Sequence, residues 1–387
     1  MSVDLRSSDR VGVLRGMLSD PKDALRPLAR PTFVYLLSRA LALSAVALGA
    51  VARGEHDVLR ALAIWDGAWY LGTAVRGYPD YTLLVNGEAA QSNVAFFPLY
   101  PMAIQGLSRL TGMAPLAAAA LVSLAAGLAA TLLLWVLVRR ICDEEVADRS
   151  VLLFCFFPAS VVLSMVYSES LMLALAIACL LGLLSRRWLS AGVAGALASA
   201  ARPSGVVMAA CCLWEAGQAI RRDRDWRAVA APLLAPVGFV GFMLFLWRRT
   251  GNPGAWFRIQ REGWGERFDF GWRTVHEVWL VVQDPLGPGN TMRLQVLGLA
   301  FTACALYLLW RWRPPAVVTI YTLGILVLSL GSWTLGARPR FVLTAFPLLV
   351  AVARAVRGRW FAAVLALSAL AMVLLAVVYT TPRLAVP

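Results

Sequence analysis

Two carboxylates and three arginines are the residues best suited by type to do chemistry, and all five flank long apolar runs. Asp66 sits in Trp65-Asp66-Gly67-Ala68-Trp69-Tyr70, about 14 residues after the first such run. Small neighbours leave room there for a bound molecule, and the aromatics would hold a helix flat at a membrane interface. A carboxylate so placed can take a proton from an attacking hydroxyl, help worth about 10²–10⁴ in rate. The plainer reading is an exposed Asp on an amphipathic helix. Glu169 lies in Tyr167-Ser168-Glu169-Ser170, a tight turn between apolar runs. A carboxylate that close to hydrocarbon is costly unless paired or open to water. Otherwise Glu169 simply starts the next helix, with Ser168 as its cap.

Arg202, in Ala201-Arg202-Pro203-Ser204-Gly205, follows an apolar run over 189–201. Thirteen residues make only about 20 Å of helix, short of a hydrocarbon core of about 30 Å. Either that helix is longer than its apolar run, or Arg202 sits below the outer surface. The run 341–353 is equally short and follows Arg338-Pro339-Arg340. Arginine at that depth suits a phosphate or pyrophosphate through bidentate, charge-assisted bonds. Headgroup anchoring is the competing reading for all three. Arg39 is expected near the inner end of its span with a snorkelling side chain. His56 and His276 lack ligand spacing, and the six cysteines form no CxxC, so no metal or cofactor is expected.

The elements that must position these groups are membrane helices. The 387 residues are 60% hydrophobic and 15% charged, where a soluble domain carries roughly a quarter charged residues. Candidate spans are 32–52, 113–138, 150–166, 171–185, 189–201, 204–220, 228–247, 291–310, 314–332, 341–353 and 360–379. This is an all-α polytopic protein of about 11 spans. Residues 1–31 are expected to form a cytoplasmic N-terminal segment and 32–387 a single transmembrane domain. The first run has no small-residue cleavage site and reads as a retained anchor.

Fourteen arginines fall in short inner loops (139, 140, 149, 186, 187, 221, 222, 224, 227, 311, 313, 354, 357 and 359) and three in outer ones (202, 338 and 340). That asymmetry puts the N-terminus inside and the chemistry outside. The net charge of +14 is therefore topological, with a lipid bilayer and no nucleic acid as partner. Lys22 is the only lysine, a bias suggesting a GC-rich bacterial genome. Two outer segments, 53–112 and 248–290, exceed simple turns. Val58 to Tyr70 and Ala95 to Leu110 read as helices lying in the outer interface, the first stopped by Gly77-Tyr78-Pro79. Aromatics mixed with charges give 248–290 the same interfacial character.

Trp65 to Tyr70 followed by Arg76-Gly77-Tyr78, then Ala95-Phe96-Phe97-Pro98-Leu99-Tyr100-Pro101, resembles the PIG-V-type family. Its members are mannosyltransferases that add the second mannose of glycosylphosphatidylinositol anchors. Tyr167-Ser168-Glu169-Ser170 and Arg202-x-x-Gly205 stand in the expected order, and the likeness covers most of the chain from about residue 32. The resemblance implies a GT-C glycosyltransferase fold and metal-independent, inverting transfer of mannose from a polyprenyl-phosphate donor. It assigns Asp66 as the catalytic carboxylate and Arg202 as a phosphate contact, which Arg338 and Arg340 would assist. Trp65, Trp69, Tyr70, Tyr78, Tyr167 and Glu169 would then line the substrate pocket. The acceptor is a glycolipid, glycan or protein, because a bacterial envelope does not build that anchor.

Two rival functions fit the same composition. A hydrolase of the lipid-linked sugar would need two facing carboxylates, with Glu169 as the second. A flippase for polyprenyl-linked lipids would show paired halves with broken helices, and no such symmetry is evident.

Overall fold

A chain in hydrocarbon must pair every backbone N–H and C=O within itself, so apolar runs become helices that end at proline, glycine or arginine. The computed structural model describes residues 26–80, 84–85, 87–284, 287, 290–333 and 339–380. Most of the expected 1–31 segment therefore lies outside the described residues. The first half of the chain forms α1 (Ala29–Val51), α2 (Val58–Leu62), α3 (Asp66–Arg76), α4 (Leu99–Thr111), α5 (Pro115–Ile141), α6 (Glu144–Cys155) and α7 (Glu169–Leu184). Then come α8 (Trp188–Ala201), α9 (Val207–Asp223), α10 (Ala230–Leu234), α11 (Val237–Thr250), α12 (Ala255–Arg258) and α13 (Trp272–Gln283). The last are α14 (Asn290–Trp312), α15 (Ala316–Leu330), α16 (Pro339–Thr344), α17 (Pro347–Ala355) and α18 (Gly358–Tyr379). A small antiparallel ribbon, β1 (Leu84–Val85) with β2 (Glu88–Ala89), lies between α3 and α4.

Among the described residues, five stretches are long and apolar enough to cross a membrane: Ala29–Val51, Pro115–Ile141, Trp226–Thr250, Met292–Trp312 and Gly358–Tyr379. Three shorter apolar helices are α7, α8 and α15. α7 is packed between α5 and α8, α18 lies along α1, α9 along α15, and α17 contacts α6 and α14. This arrangement gathers the ends of α3, α7, α8 and α16 in one place.

Several expected elements are corrected. The run 150–166 is not a straight span. Its helix starts earlier, at Glu144, where the Asp143 carboxylate accepts the Val146 N–H at 2.8 Å. It stops at Cys155 and is followed by a 3₁₀ turn over Pro158–Leu163. Pro158 has no N–H to continue the ladder. The run 341–353 is likewise broken, at Pro347, into α16 and α17. Val58 to Tyr70 is two helices, not one, with the break at Trp65. The second interfacial helix begins at Leu99, Ala95 belonging to a 3₁₀ turn over Asn93–Ala95.

Arg39 does not snorkel. It is 3% exposed in the middle of α1. Its guanidinium donates to the Cys155 carbonyl at 2.8 Å, to Ser164 Oγ at 3.2 Å, and to the Ser160 carbonyl. These are the backbone and hydroxyl groups that the broken 150–166 run leaves without ladder partners. A charge inside the bundle is tolerated because it satisfies them.

Candidate functional site

The backbone before α3 turns through Trp65, held at φ 56° and ψ −123°. Positive φ on a bulky residue costs on the order of 1–3 kcal/mol and persists only where the surroundings hold it. The surroundings do so here. The Val166 N–H donates to the Leu62 carbonyl at 2.9 Å, and the Trp65 indole N–H reaches the Tyr379 carbonyl at 3.4 Å. The consequence is that Asp66 opens α3 at its positive end.

Arg202 is the residue that follows α8, in extended conformation, before the 3₁₀ turn Pro203–Val206. The turn packs so tightly that a Cβ on Gly205 would fall 2.1 Å from the Ala198 carbonyl oxygen. Gly205 therefore permits the sharp exit that fixes Arg202 at the helix end. The helix has 14 residues, one more than its apolar run, and ends with that run at Ala201. Arg340 lies in α16, and Glu169 opens α7.

These four side chains form one cluster. Arg340 Nη1 donates to Asp66 Oδ2 at 2.7 Å and lies 3.8 Å from Glu169 Oε1. Arg202 Nη1 is 2.6 Å from Glu169 Oε2. That contact is close but off the N–H axis, so both Glu169 oxygens lack a directed hydrogen bond, as does Arg340 Nε. Side-chain exposure falls from 20% at Asp66 through 14% at Arg202 and 6% at Arg340 to 1% at Glu169. Asp66 is thus the group of the four most open to an arriving molecule. With both acids ionised, two cations face two anions and the cluster carries no net charge.

Ser168 is the residue before α7 but makes no side-chain cap. Its hydroxyl instead shares a 2.6 Å hydrogen bond with Tyr70 OH and accepts a long one, 3.4 Å, from Arg202. Tyr70 and Tyr167 are buried, and the Tyr167 hydroxyl has no hydrogen-bond partner among the described residues. Of the pocket residues expected from sequence, Trp65, Tyr70, Tyr167 and Glu169 gather around the charges. Glu169 does so as a buried counter-ion, not as an open lining residue. Arg338 lies outside the described residues.

Trp69 and Tyr78 are elsewhere. A cavity of about 340 Å³ opens beside the far half of α3, lined by Trp69, Arg76, Tyr78, Gln91, Ser92 and Asn93. Asp66 does not line it. Trp69 packs on Phe96 and Trp264, whereas Tyr78 packs on Phe242 and Phe245 of α11. Gln91 and Asn93 were not singled out by sequence, and Arg76 entered only within the Arg76-Gly77-Tyr78 motif, because single polar residues in a loop look like any others. Among the described residues no three His, Cys, Asp or Glu side chains converge as a metal site would need.

Residues 31–220 match the family model described as Mannosyltransferase (PIG-V). This segment, just under half of the chain, is similar to the PIG-V mannosyltransferase family. The PIG-V segment includes Asp66, Glu169, Arg202 and the residues lining the cavity, but Arg340 lies beyond it. No curated protein matches the sequence. Among solved structures, the chain is similar to Cupriavidus metallidurans ArnT bound to undecaprenyl phosphate, with 16% identity and a TM-score of 0.49 over 76% of this chain and 56% of that one. It is also similar to the apo oligosaccharyltransferase of Archaeoglobus fulgidus, with 14% identity and a TM-score of 0.44 over 88% and 56%. The chain spans just over half the length of these proteins. The family match over residues 31–220 and the apolar helices mark a membrane protein whose first half is similar to a mannosyltransferase family.

Proposed function

We propose that the protein is an inverting, GT-C-type α-mannosyltransferase of about eleven crossings. It takes mannose from a polyprenyl phosphate at the outer face of the plasma membrane. One observation carries this reading: Asp66, Arg340, Glu169 and Arg202 touch in sequence, with the most exposed member a carboxylate. The acceptor hydroxyl oxygen attacks the anomeric carbon and its proton passes to Asp66. The bond from that carbon to the phosphate oxygen breaks, and its electron pair stays on the departing polyprenyl phosphate.

Arg202 and Arg340 receive the charge developing on the phosphate, with Arg338 as a third contact. Preorganised cations of this kind in a water-poor site supply a large part of transition-state stabilisation. Because Arg340 already bonds Asp66, it changes partner as the phosphate arrives. The phosphate takes the guanidinium, and Asp66 is left free to face the acceptor. Glu169 keeps Arg202 in place throughout. The short α8 sets Arg202 below the outer surface, at the depth of a lipid phosphate.

The test uses the detergent-purified full chain with radiolabelled polyprenyl-phosphate mannose and native lipid extract. Mass analysis of the product identifies sugar and acceptor together. Asp66→Asn should remain folded and lose transfer by about 10²–10⁴. A variant turning over at the wild-type rate would remove Asp66 from its role.

A further inference from the structure

The cavity beside Trp69 takes no part in the transfer step as written. We propose that it binds the carbohydrate end of the acceptor, an inference that rests on the transferase reading above. Sugars present C–H faces to aromatic rings and hydroxyl edges to planar donors and acceptors, which is why pockets for them mix the two. Here an indole and a phenol share a cavity of about 340 Å³ with a guanidinium, two amides and a hydroxyl. That volume lies within the range of small-ligand pockets, roughly 300–1,000 Å³. A polyprenyl chain would require a long apolar groove, whereas this lining includes Arg76, Gln91, Ser92 and Asn93.

The walls are built in advance. Arg249 donates to the Tyr78 carbonyl from Nη2 at 2.8 Å and from Nε at 3.1 Å, and its guanidinium pairs with Asp80 at 2.5 Å. Asn93 Nδ2 donates to the Gly77 carbonyl at 2.8 Å, and Asn93 Oδ1 accepts a long bond, 3.5 Å, from Ser92 Oγ. A pocket preformed this way avoids the ordering cost that weakens binding by loops.

Arg76 is the second observation. It is exposed and forms no ion pair among the described residues, whereas Arg202 and Arg340 are both compensated. Its guanidinium lies back along α3, over Gly72, where a Cβ would fall 2.7 Å from Nη2. Gly72 thus lets Arg76 point toward Trp69 along the helix. With a rise of about 1.5 Å per residue, Trp69 stands about 4.5 Å and Arg76 about 15 Å along the axis from Asp66. The cavity and the general base are therefore two ends of one helix, as an acceptor bound at one end and reacting at the other would require.

The experiment measures binding and kinetics separately on the detergent-purified full chain. Methyl α-mannoside and mannobiose are titrated while tryptophan fluorescence and saturation-transfer NMR are followed, with inorganic pyrophosphate as a parallel arm. Wild type should bind the sugars. Arg76→Ala and Asn93→Ala should weaken that binding and raise the acceptor KM about tenfold or more, the loss of a charged or bidentate hydrogen bond. The donor KM and kcat should stay within about twofold of wild type. Gly72→Ala, which displaces the guanidinium without removing it, should act in the same direction. Should Arg76→Ala fail to fold, Asn93→Ala and Gln91→Ala give the same reading. A raised donor KM with unchanged acceptor KM, or binding of pyrophosphate but not of sugars, overturns the proposal. Sugar binding by a wild type that transfers to no acceptor would instead overturn the transferase reading and leave the subsite.

Discussion

Arg340 neutralises two carboxylates at once, so replacing it tests the charge cluster directly. Arg340→Met keeps most of the side-chain volume but leaves Asp66 and Glu169 to share Arg202. Removing one partner of a buried ion pair typically costs about 3–5 kcal/mol. Glu169 is 1% exposed and feels that cost, but Arg202 still lies 2.6 Å away, and Asp66 at 20% exposure is partly solvated. A loss of about 2–3 kcal/mol is therefore expected, read as a drop on the order of 5 °C in thermal unfolding in detergent. Asp66→Asn alone leaves a surplus cation and should cost about 1 kcal/mol. In the double variant Arg340→Met with Asp66→Asn, Glu169 and Arg202 pair alone and the cluster is neutral again. Its loss should fall short of the two single losses added together by about 1–3 kcal/mol. Additivity within about 0.5 kcal/mol would refute the coupling on which the partner exchange depends.

Other perturbations follow from single contacts. Gly205→Ala puts a methyl against the Ala198 carbonyl and should destabilise by about 1–3 kcal/mol or more; a thermal midpoint equal to wild type would contradict the tight exit from α8. Arg39→Met removes the donors that hold the Cys155 and Ser160 carbonyls, so hydrogen exchange over 155–164 should accelerate more than elsewhere. Uniform protection across the chain would show that Arg39 holds nothing there. Between segments 53–112 and 248–290, the Ala89 N–H and Arg258 hold the Glu262 carboxyl below its usual value of 4.5. A lowered folded value means this tether between the two segments is complete at neutral pH and lost only as pH falls through it. An acid titration of Ala89 amide protection should show that release, and Glu262→Gln should abolish its pH dependence.

Hydropathy alone established the membrane class, the helical content and the order of most runs, because hydrocarbon imposes one backbone solution on any long apolar stretch. The local motif around Asp66 was also legible, since aromatic and small residues at helical spacing are a local pattern. The breaks at Trp65, Pro158 and Pro347 were not, for an apolar run reads alike whether its helix is straight or interrupted. Arg39 was misplaced for the same reason: its partners exist only because the 150–166 run breaks, and they lie more than 110 positions away. Arg340 meets Asp66 across 274 positions. Sequence placed both at the outer side by charge asymmetry, but only the seating of α16 on the Pro158–Leu163 turn, α14 and α15 made them neighbours. The same holds for the cavity. Trp69 and Arg76 share a helix face that periodicity reveals, while Gln91, Asn93 and the Arg249 brace come from segments whose meeting is a property of the folded bundle. Local patterns report backbone preference and burial, whereas the pairing of charges is decided by which helix ends the tertiary structure brings together.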